Sequence, residues 1–278
     1  MFEIGKFNRL KALRLTPPGM FLGKDGEEEV VLLPHRYIPP TLVVGDEVDV
    51  FIYLDSEDRL IATTQKPKIQ LNQFACLEVK DVNKVGAFLD WGLDKDLMVP
   101  FSEQKRNMKK GESYLVYLFL DEESNRLVAT SKIEPFLEKE TIELSEGEEV
   151  DLLIGESSDI GVNVIINNRY KGLIYHNEIF HNIYPGDRTK GYIKAVREDR
   201  KIDVSLQQQG FKNIDRTAEI LLQKLKANEG YLDLHDDSDP GEIMVRLQMS
   251  KKSFKKAVGL LYKKRLIVLE PQGIRLAK

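Results

Sequence analysis

Apolar and polar residues alternate with period two through the first three quarters of the chain, the pattern of strands with one face buried. Val85, Ala87, Leu89 and Trp91 share one face against Gly86, Phe88 and Asp90. Tyr114, Val116, Leu118 and Leu120 likewise share a face against Leu115, Tyr117 and Phe119. Acidic turn runs, Asp55-Ser56-Glu57-Asp58 and Asp121-Glu122-Glu123-Ser124-Asn125, separate such strands. From Asn213 the spacing becomes helical. Ala218, Ile220, Leu221 and Leu225 stripe a helix over 215–228, with Gly230 as its stop. Ser238-Asp239-Pro240 opens a short helix carrying Ile243, Val245 and Leu247, because Asp or Ser caps and Pro suits the first turn. Ser250 caps a third helix to about Lys264, with Phe254, Ala257, Val258 and Leu261 inward. Leu266–Leu269 and Ile274–Leu276 close the chain as two strands around a tight turn.

The strand region is internally repeated. Gly19-Met20-Phe21-Leu22 matches Gly86-Ala87-Phe88-Leu89 at an offset of 67, and Val31–Pro34 matches Leu97–Pro100 at 66. Gly45 and Asp55 fall on Gly111 and Asp121, and Arg59–Thr64 falls on Arg126–Ser131. A more diverged third copy begins at Gly161-Val162-Asn163-Val164, 75 residues beyond the second, and closes on Lys201–Ser205. Four or five short strands in about 65 residues is the size of a small Greek-key barrel of the OB type. Three helices and a terminal hairpin form the winged helix-turn-helix layout. The expected class is therefore mainly β with an α+β tail: barrels over 1–68, 69–140 and 141–210, then a winged helix over 211–278.

The order Val85-Gly-Ala-Phe-Leu89, Leu97–Glu103, Gly111-Glu112 and Leu120–Ser131 resembles the S1 RNA-binding domain. With the winged-helix tail, the tandem array resembles the conserved virulence factor B family of bacteria. The resemblance implies that an aromatic after the strand glycine stacks on bases, here Phe88 and its counterpart Phe21; packing of Phe88 on a neighbouring domain is the alternative. It also implies an Asp and Arg around the last hairpin, kept as Asp55/Arg59 and Asp121/Arg126. The third copy keeps Arg200, but its Asp position falls at Val196. The family's third-strand His is replaced by Pro34, Pro100 and Tyr175.

Single-stranded RNA is held by aromatic faces and by cations at phosphates. Phe51, Tyr117 and Tyr192 are equivalent in the three copies and lie opposite the aliphatic strand face. They form either a shared RNA surface or an interface between barrels. The third copy has Asn163 where the others have Phe, so phosphate contacts from Arg169, Tyr170, Lys171, Lys190, Lys194 and Arg197 are expected to dominate there. In the third helix Lys251, Lys252, Lys255, Lys256, Lys263, Lys264 and Arg265 bring seven positive charges with no acid over 250–265, a salt-sensitive contact for nucleic acid.

The net charge is −4, but it is unevenly spread. Through Phe211 there are 27 basic and 36 acidic residues; from 212 onward there are 14 and 9. One module meets phosphate directly, and the acidic remainder relies on local patches. A single cysteine, Cys76, excludes an internal disulfide and fits a reducing cytoplasm. No membrane span is expected. The four histidines form no metal-binding pair, and no phosphate-cradling Gly-rich loop is present. The sequence therefore predicts a non-enzymatic regulator without cofactor or metal whose partner is single-stranded RNA. The alternatives are a DNA-binding transcription regulator and a scaffold on the ribosome or RNA-decay machinery.

Overall fold

Each repeat folds around one strand alternation, with its aliphatic face turned inward. The computed structural model describes residues 2–179, 182–206 and 216–277. The chain divides into two compact units, Met1–Leu206 and Gln207–Lys278.

In the first unit, β1 (Phe7–Thr16), β2 (Gly19–Gly23), β3 (Val30–Pro34), β4 (Glu47–Leu54) and β5 (Leu60–Thr63) close a barrel in the order β1-β2-β3-β5-β4. All its pairings are antiparallel except β3 with β5. The second copy, β6 (Phe74–Val82), β7 (Gly86–Leu89), β8 (Leu97–Pro100), β9 (Ser113–Leu120) and β10 (Leu127–Thr130), has the same strand order. It is a five-stranded sheet curled so that β10 lies beside β8 without a ladder closing the seam. The third, β11 (Glu149–Ser157), β12 (Gly161–Ile166), β13 (Tyr170–Tyr175), β14 (Arg188–Val196) and β15 (Ile202–Ser205), is closed again, with β13 and β15 parallel.

Two local devices recur and explain why the repeat is legible. A Cβ at Gly19, Gly86 or Gly161 would sit 2.1–2.3 Å from the carbonyl oxygen of Leu33, Val99 or Ile174 on the next strand, so only glycine admits that close crossing. The last hairpin of each copy turns through left-handed backbone at Asp58, Asn125 and Arg200. Asp and Asn tolerate that conformation better than most residues.

Leu10, Met20, Leu22, Leu33, Val50, Ile52 and Ala62 fill the first barrel; Val150, Ile154, Val164, Ile174, Ile193 and Val204 help fill the third. The core of the second is continuous with the outer aromatics of the first: Phe51 and Tyr53 are buried with Trp91, Leu97 and Val116. Phe74, Leu137, Leu153 and Ile165 join the second barrel to the third. Asn168 fastens that junction, accepting from Phe74 N at 2.9 Å and donating to Asn72 O at 2.9 Å.

The second unit contains α1 (Arg216–Ala227), β16 (Tyr231–Leu232), α2 (Pro240–Leu247), α3 (Lys251–Lys263), β17 (Ile267–Glu270) and β18 (Gly273–Leu276). Its sheet order is β16-β18-β17. Asp239 caps α2 by accepting from Gly241 N at 2.7 Å, and Ser250 caps α3 by accepting from Ser253 N at 3.2 Å. Two apolar residues read along these helices turn outward. Val245 is 82% exposed, because it lies two residues from both buried Ile243 and buried Leu247 and so faces away from them. Ile220 is 36% exposed; Leu222 takes its place beside Ala218, Leu221 and Leu225. Among the described residues no helix is long and apolar enough to cross a membrane.

Candidate nucleic-acid interface

The aromatic of each Gly-x-Phe strand is set by alternation: Ala87 and Leu89 point into the barrel, leaving Phe88 half-buried on the outside. It lines a 370 Å³ cavity with Met98, Trp91, Lys95 and Arg126, facing Leu54, Ser56 and Asp58 of the first barrel. Phe21 is also half-buried, with the Arg14 guanidinium 4.7 Å above its ring. Asn163 occupies the same place in β12 and donates to Glu156 O at 3.1 Å.

The second aromatic stripe is an interface rather than an RNA surface in two of its three copies. Phe51 has 0% exposure, with Phe7 and Trp91 both 5.7 Å away in edge-on contact. A ring so enclosed has no face for a base, so its assignment to RNA is overturned. Tyr117 is half-buried at the second junction, with Phe136 stacked on one face at 4.2 Å and Phe74 tilted against it at 4.7 Å, so the ring packs between barrels and the stacked face is closed to a base. Tyr192 differs. Cross-strand from Phe51 and Tyr117 stand Phe7 and Phe74, whereas the partner of Tyr192 is Glu149, which accepts its hydroxyl at 3.1 Å. Tyr192 stays half-buried and polar in its surroundings.

The Asp–Arg pairs diverge in space. Arg59 is bound to Asp55 at 2.8 Å and to Glu57 at 2.8 Å within its own hairpin. Arg126 instead crosses to Asp58 of the first barrel, while Asp121 accepts from Ser124. Lys95 reinforces that crossing, donating to Leu54 O at 3.1 Å and Asp55 O at 2.6 Å. Burial lowers the pKa of its amine. In the third barrel Lys194 pairs with Glu178 and lies 5.4 Å from the Tyr175 ring centroid. Arg200 is exposed at the hairpin tip. Arg169, Lys171, Lys190 and Arg197 are paired with Glu143, Glu134, Asp151 and Asp203. Tyr170 is 2% exposed and leaves the expected polar surface, since its ring helps fill the barrel. The pairs to Glu143, Glu134 and Asp151 are exposed and weak in water, so a phosphate can displace those carboxylates, whereas Asp203 is buried and holds Arg197 more firmly.

On α3, Phe254, Ala257, Val258 and Leu261 face the core, which turns Lys252, Lys255, Lys256 and Lys263 outward. Lys264 and Arg265 follow at the helix end, Arg265 in left-handed backbone. Lys255 lies 3.7 Å from Asp236. Lys251 is different: its amine donates to Ser238 O at 2.9 Å and ties α3 to the turn before α2. Lys105, Arg106 and Lys132, which the sequence reading did not single out, gather near the second junction. The available signal was their position just after the Leu97–Glu103 strand end and the repeated Thr130-Ser131 segment.

Among the described residues no group of three His, Cys, Asp or Glu side chains is placed to hold a metal ion. Burial, then the nearby Glu156, pushes the Cys76 thiol upward, away from the thiolate that nucleophilic chemistry needs.

The model of the CvfB-like winged helix domain matches residues 219–276, and that of the S1 domain matches residues 4–65 and 73–132. Both are nucleic-acid-binding domain types. The Bacillus subtilis (strain 168) protein YitL is 30% identical over 259 residues, covering 89% of this chain and 85% of its own. Conserved virulence factor B of Staphylococcus haemolyticus is 26% identical over 284 residues, covering 99% and 95%. A Streptococcus pneumoniae structure, described as a multidomain protein with nucleic acid binding domains, covers 98% of each chain at 24% identity with a TM-score of 0.43.

Proposed function

Because this chain belongs to the conserved virulence factor B family and carries S1 and CvfB-like winged helix domains, we propose that it is a non-catalytic regulator of gene expression that grips single-stranded RNA. The observation that carries this reading is the cavity at the first junction, where the half-buried Phe88 ring stands with Arg126 and Lys95. A flat apolar face beside fixed cations suits an unpaired base and its phosphate, whereas paired bases in a duplex keep their faces covered. Phe21, Tyr192, Arg59, Lys194 and Arg200 extend the contact along the barrels, and the outward cations of α3 add a second phosphate-binding surface.

That helix also supports a second reading. A basic helix in the recognition position suits the major groove of duplex DNA. The deciding experiment is fluorescence anisotropy of the full chain with 12-nucleotide single-stranded RNA, the matching DNA strand and the DNA duplex, across salt concentration. Tighter binding of RNA, weakening as salt rises, is expected. Preference for the duplex overturns the RNA reading in favour of transcriptional regulation. Absence of binding to all three overturns both and favours a protein scaffold.

A further inference from the structure

The groove between the second and third barrels has a different chemistry from the one between the first and second. Its cavity of about 260 Å³ is bordered by Lys105, Arg106, Lys132 and Lys171 and floored by Leu115, Ile133, Val164 and Ile165. Among the described residues that line it, Glu134 and Glu156 alone bring negative charge. Four cations against two anions is a local excess of positive charge within an acidic unit, so the groove selects for an anion. The volume is below the roughly 300 Å³ of the smallest ordinary small-molecule pockets. An extended polyanion lying across it fits better than an enclosed ligand.

The cations are held in place by the fold. Gln104 is buried, donating to Val99 O at 3.0 Å and accepting from Met108 N at 3.0 Å, which fixes the loop that bears Lys105 and Arg106. Ser131 Oγ accepts from Lys105 N at 2.8 Å, and Thr130 Oγ1 accepts from Lys132 N at 3.0 Å. Thr130 in turn donates to Glu103 O at 3.1 Å. The backbones carrying Lys105 and Lys132 are thereby laced together, so a ligand meets both without first ordering a loop. From the third barrel Lys171 reaches Glu134 at 2.6 Å, while Arg106 is held by Glu156 at 3.1 Å, with its guanidinium 5.2 Å from the Tyr114 ring centroid. The Glu134 carboxyl is held below its usual range by Lys171, with further help from Lys139 and Lys105.

The position of the groove in the repeat gives it a direction. Asn163 on its wall is the third-copy counterpart of Phe88, and Phe88 lines the cavity at the preceding junction. Both junctions therefore open beside the same strand position, one with a stacking ring and one with an amide among cations.

We propose that this second-junction groove is a phosphate-backbone site, in which Lys105, Arg106, Lys132 and Lys171 take successive phosphodiesters of the single strand whose base stacks at Phe88. This rests on the RNA reading above. The two carboxylates act as resident counter-anions that the strand displaces.

The test uses the full chain and fluorescein-labelled dodecauridylate, with affinity measured from 50 to 500 mM salt. Each lysine that loses a phosphate contact removes about 0.7 from the slope of log affinity against log salt for a single strand. Lys105→Gln with Lys132→Gln should therefore flatten the slope by about 1.4 and weaken binding at 0.1 M salt by roughly 10- to 25-fold. Glu134→Gln with Glu156→Gln should act in the opposite direction, tightening binding several-fold. If the unmodified chain binds and the lysine pair changes neither slope nor affinity, the groove proposal is overturned while the RNA reading stands. If the carboxylate pair weakens binding, the counter-anion role is overturned with it. If the unmodified chain does not bind the oligonucleotide, the RNA reading falls and takes the groove with it.

Discussion

The sequence places both Phe51 and Phe88 toward RNA, but the first is fully buried and the second half-buried, so one pair of variants can separate packing from the RNA contact proposed for Phe88. Phe51 is fully enclosed between two barrels, with three aromatic neighbours within 6.2 Å. Truncating such a ring to Ala costs about 3–5 kcal/mol through lost burial and the cavity left behind. With a urea dependence of about 2 kcal/mol/M, Phe51→Ala should lower the unfolding midpoint of the first two barrels by about 2 M. The chain's single tryptophan is a built-in reporter: Trp91 is buried against Phe51 and donates from Nε1 to Lys95 O at 2.5 Å. Its fluorescence should follow this transition. Affinity for single-stranded RNA below the transition should stay within about twofold, since Phe51 presents no surface. Phe88→Ala should show the converse: stability within about 1 kcal/mol, because the ring is only half-buried, and affinity weaker by about 1–3 kcal/mol, the contribution of one stacked base. Phe51→Leu, which keeps much of the apolar volume, serves if the alanine variant does not fold. Loss of affinity in a folded Phe51 variant, or loss of stability alone at Phe88, would refute the division of roles.

Three further outcomes are expected. Asp58→Asn keeps a residue that tolerates the left-handed backbone and frees Arg126 of its carboxylate beside the Phe88 cavity; as exposed pairs are worth at most about 1 kcal/mol, RNA binding should tighten by up to about fivefold with stability little changed, and unchanged or weaker binding refutes the restraint of Arg126 by Asp58. Replacing Lys252, Lys255 and Lys256 by Gln should flatten the single-strand salt slope by about 2, whereas Lys251→Gln should instead cost about 1 kcal/mol of winged-helix stability, read by calorimetry, because it breaks the tie to Ser238. Lys68 holds the Asp90 carboxyl at about 2, helped by Gly92 N–H and Lys80, and its acid-lowered value means that its stabilisation is present above about pH 4 and disappears as pH falls through 2. After allowance for solvent screening, Asp90→Asn should cost about 1 kcal/mol at pH 7, a difference from the unmodified chain that urea titrations should find shrinking toward pH 2.

The sequence disclosed the repeat because its marks are steric. Gly19, Gly86 and Gly161 are demanded by a carbonyl on the next strand, and the hairpin turns are demanded by left-handed backbone. Such needs are local and therefore leave readable residues. The tail was equally legible through Asp239 and Ser250, which cap the helices they precede. What period-two alternation cannot tell is whether the outer face of a strand meets water or another barrel. Phe51 and Tyr117 read as surface aromatics, but they are covered by Trp91 from a later repeat and by Phe136 from the segment between repeats. The same blindness hid the second-junction groove, since Lys105, Lys132 and Lys171 converge only once two barrels pack. Pairing by sequence also misled at Arg126, whose partner lies 68 residues away rather than in its own hairpin.

The exchange of Phe7–Phe51 and Phe74–Tyr117 for Glu149–Tyr192 takes from the third barrel the aromatic pair with which the first two meet a following barrel. In repeat architectures the terminal unit needs an outer face that tolerates water. Here one carboxylate on that face is enough to make it wettable, because Glu149 is exposed and also occupies the Tyr192 hydroxyl. A chain carrying Phe at 149 would regain the adhesive aromatic face of the earlier copies, with nothing in its own repeats left to cover it.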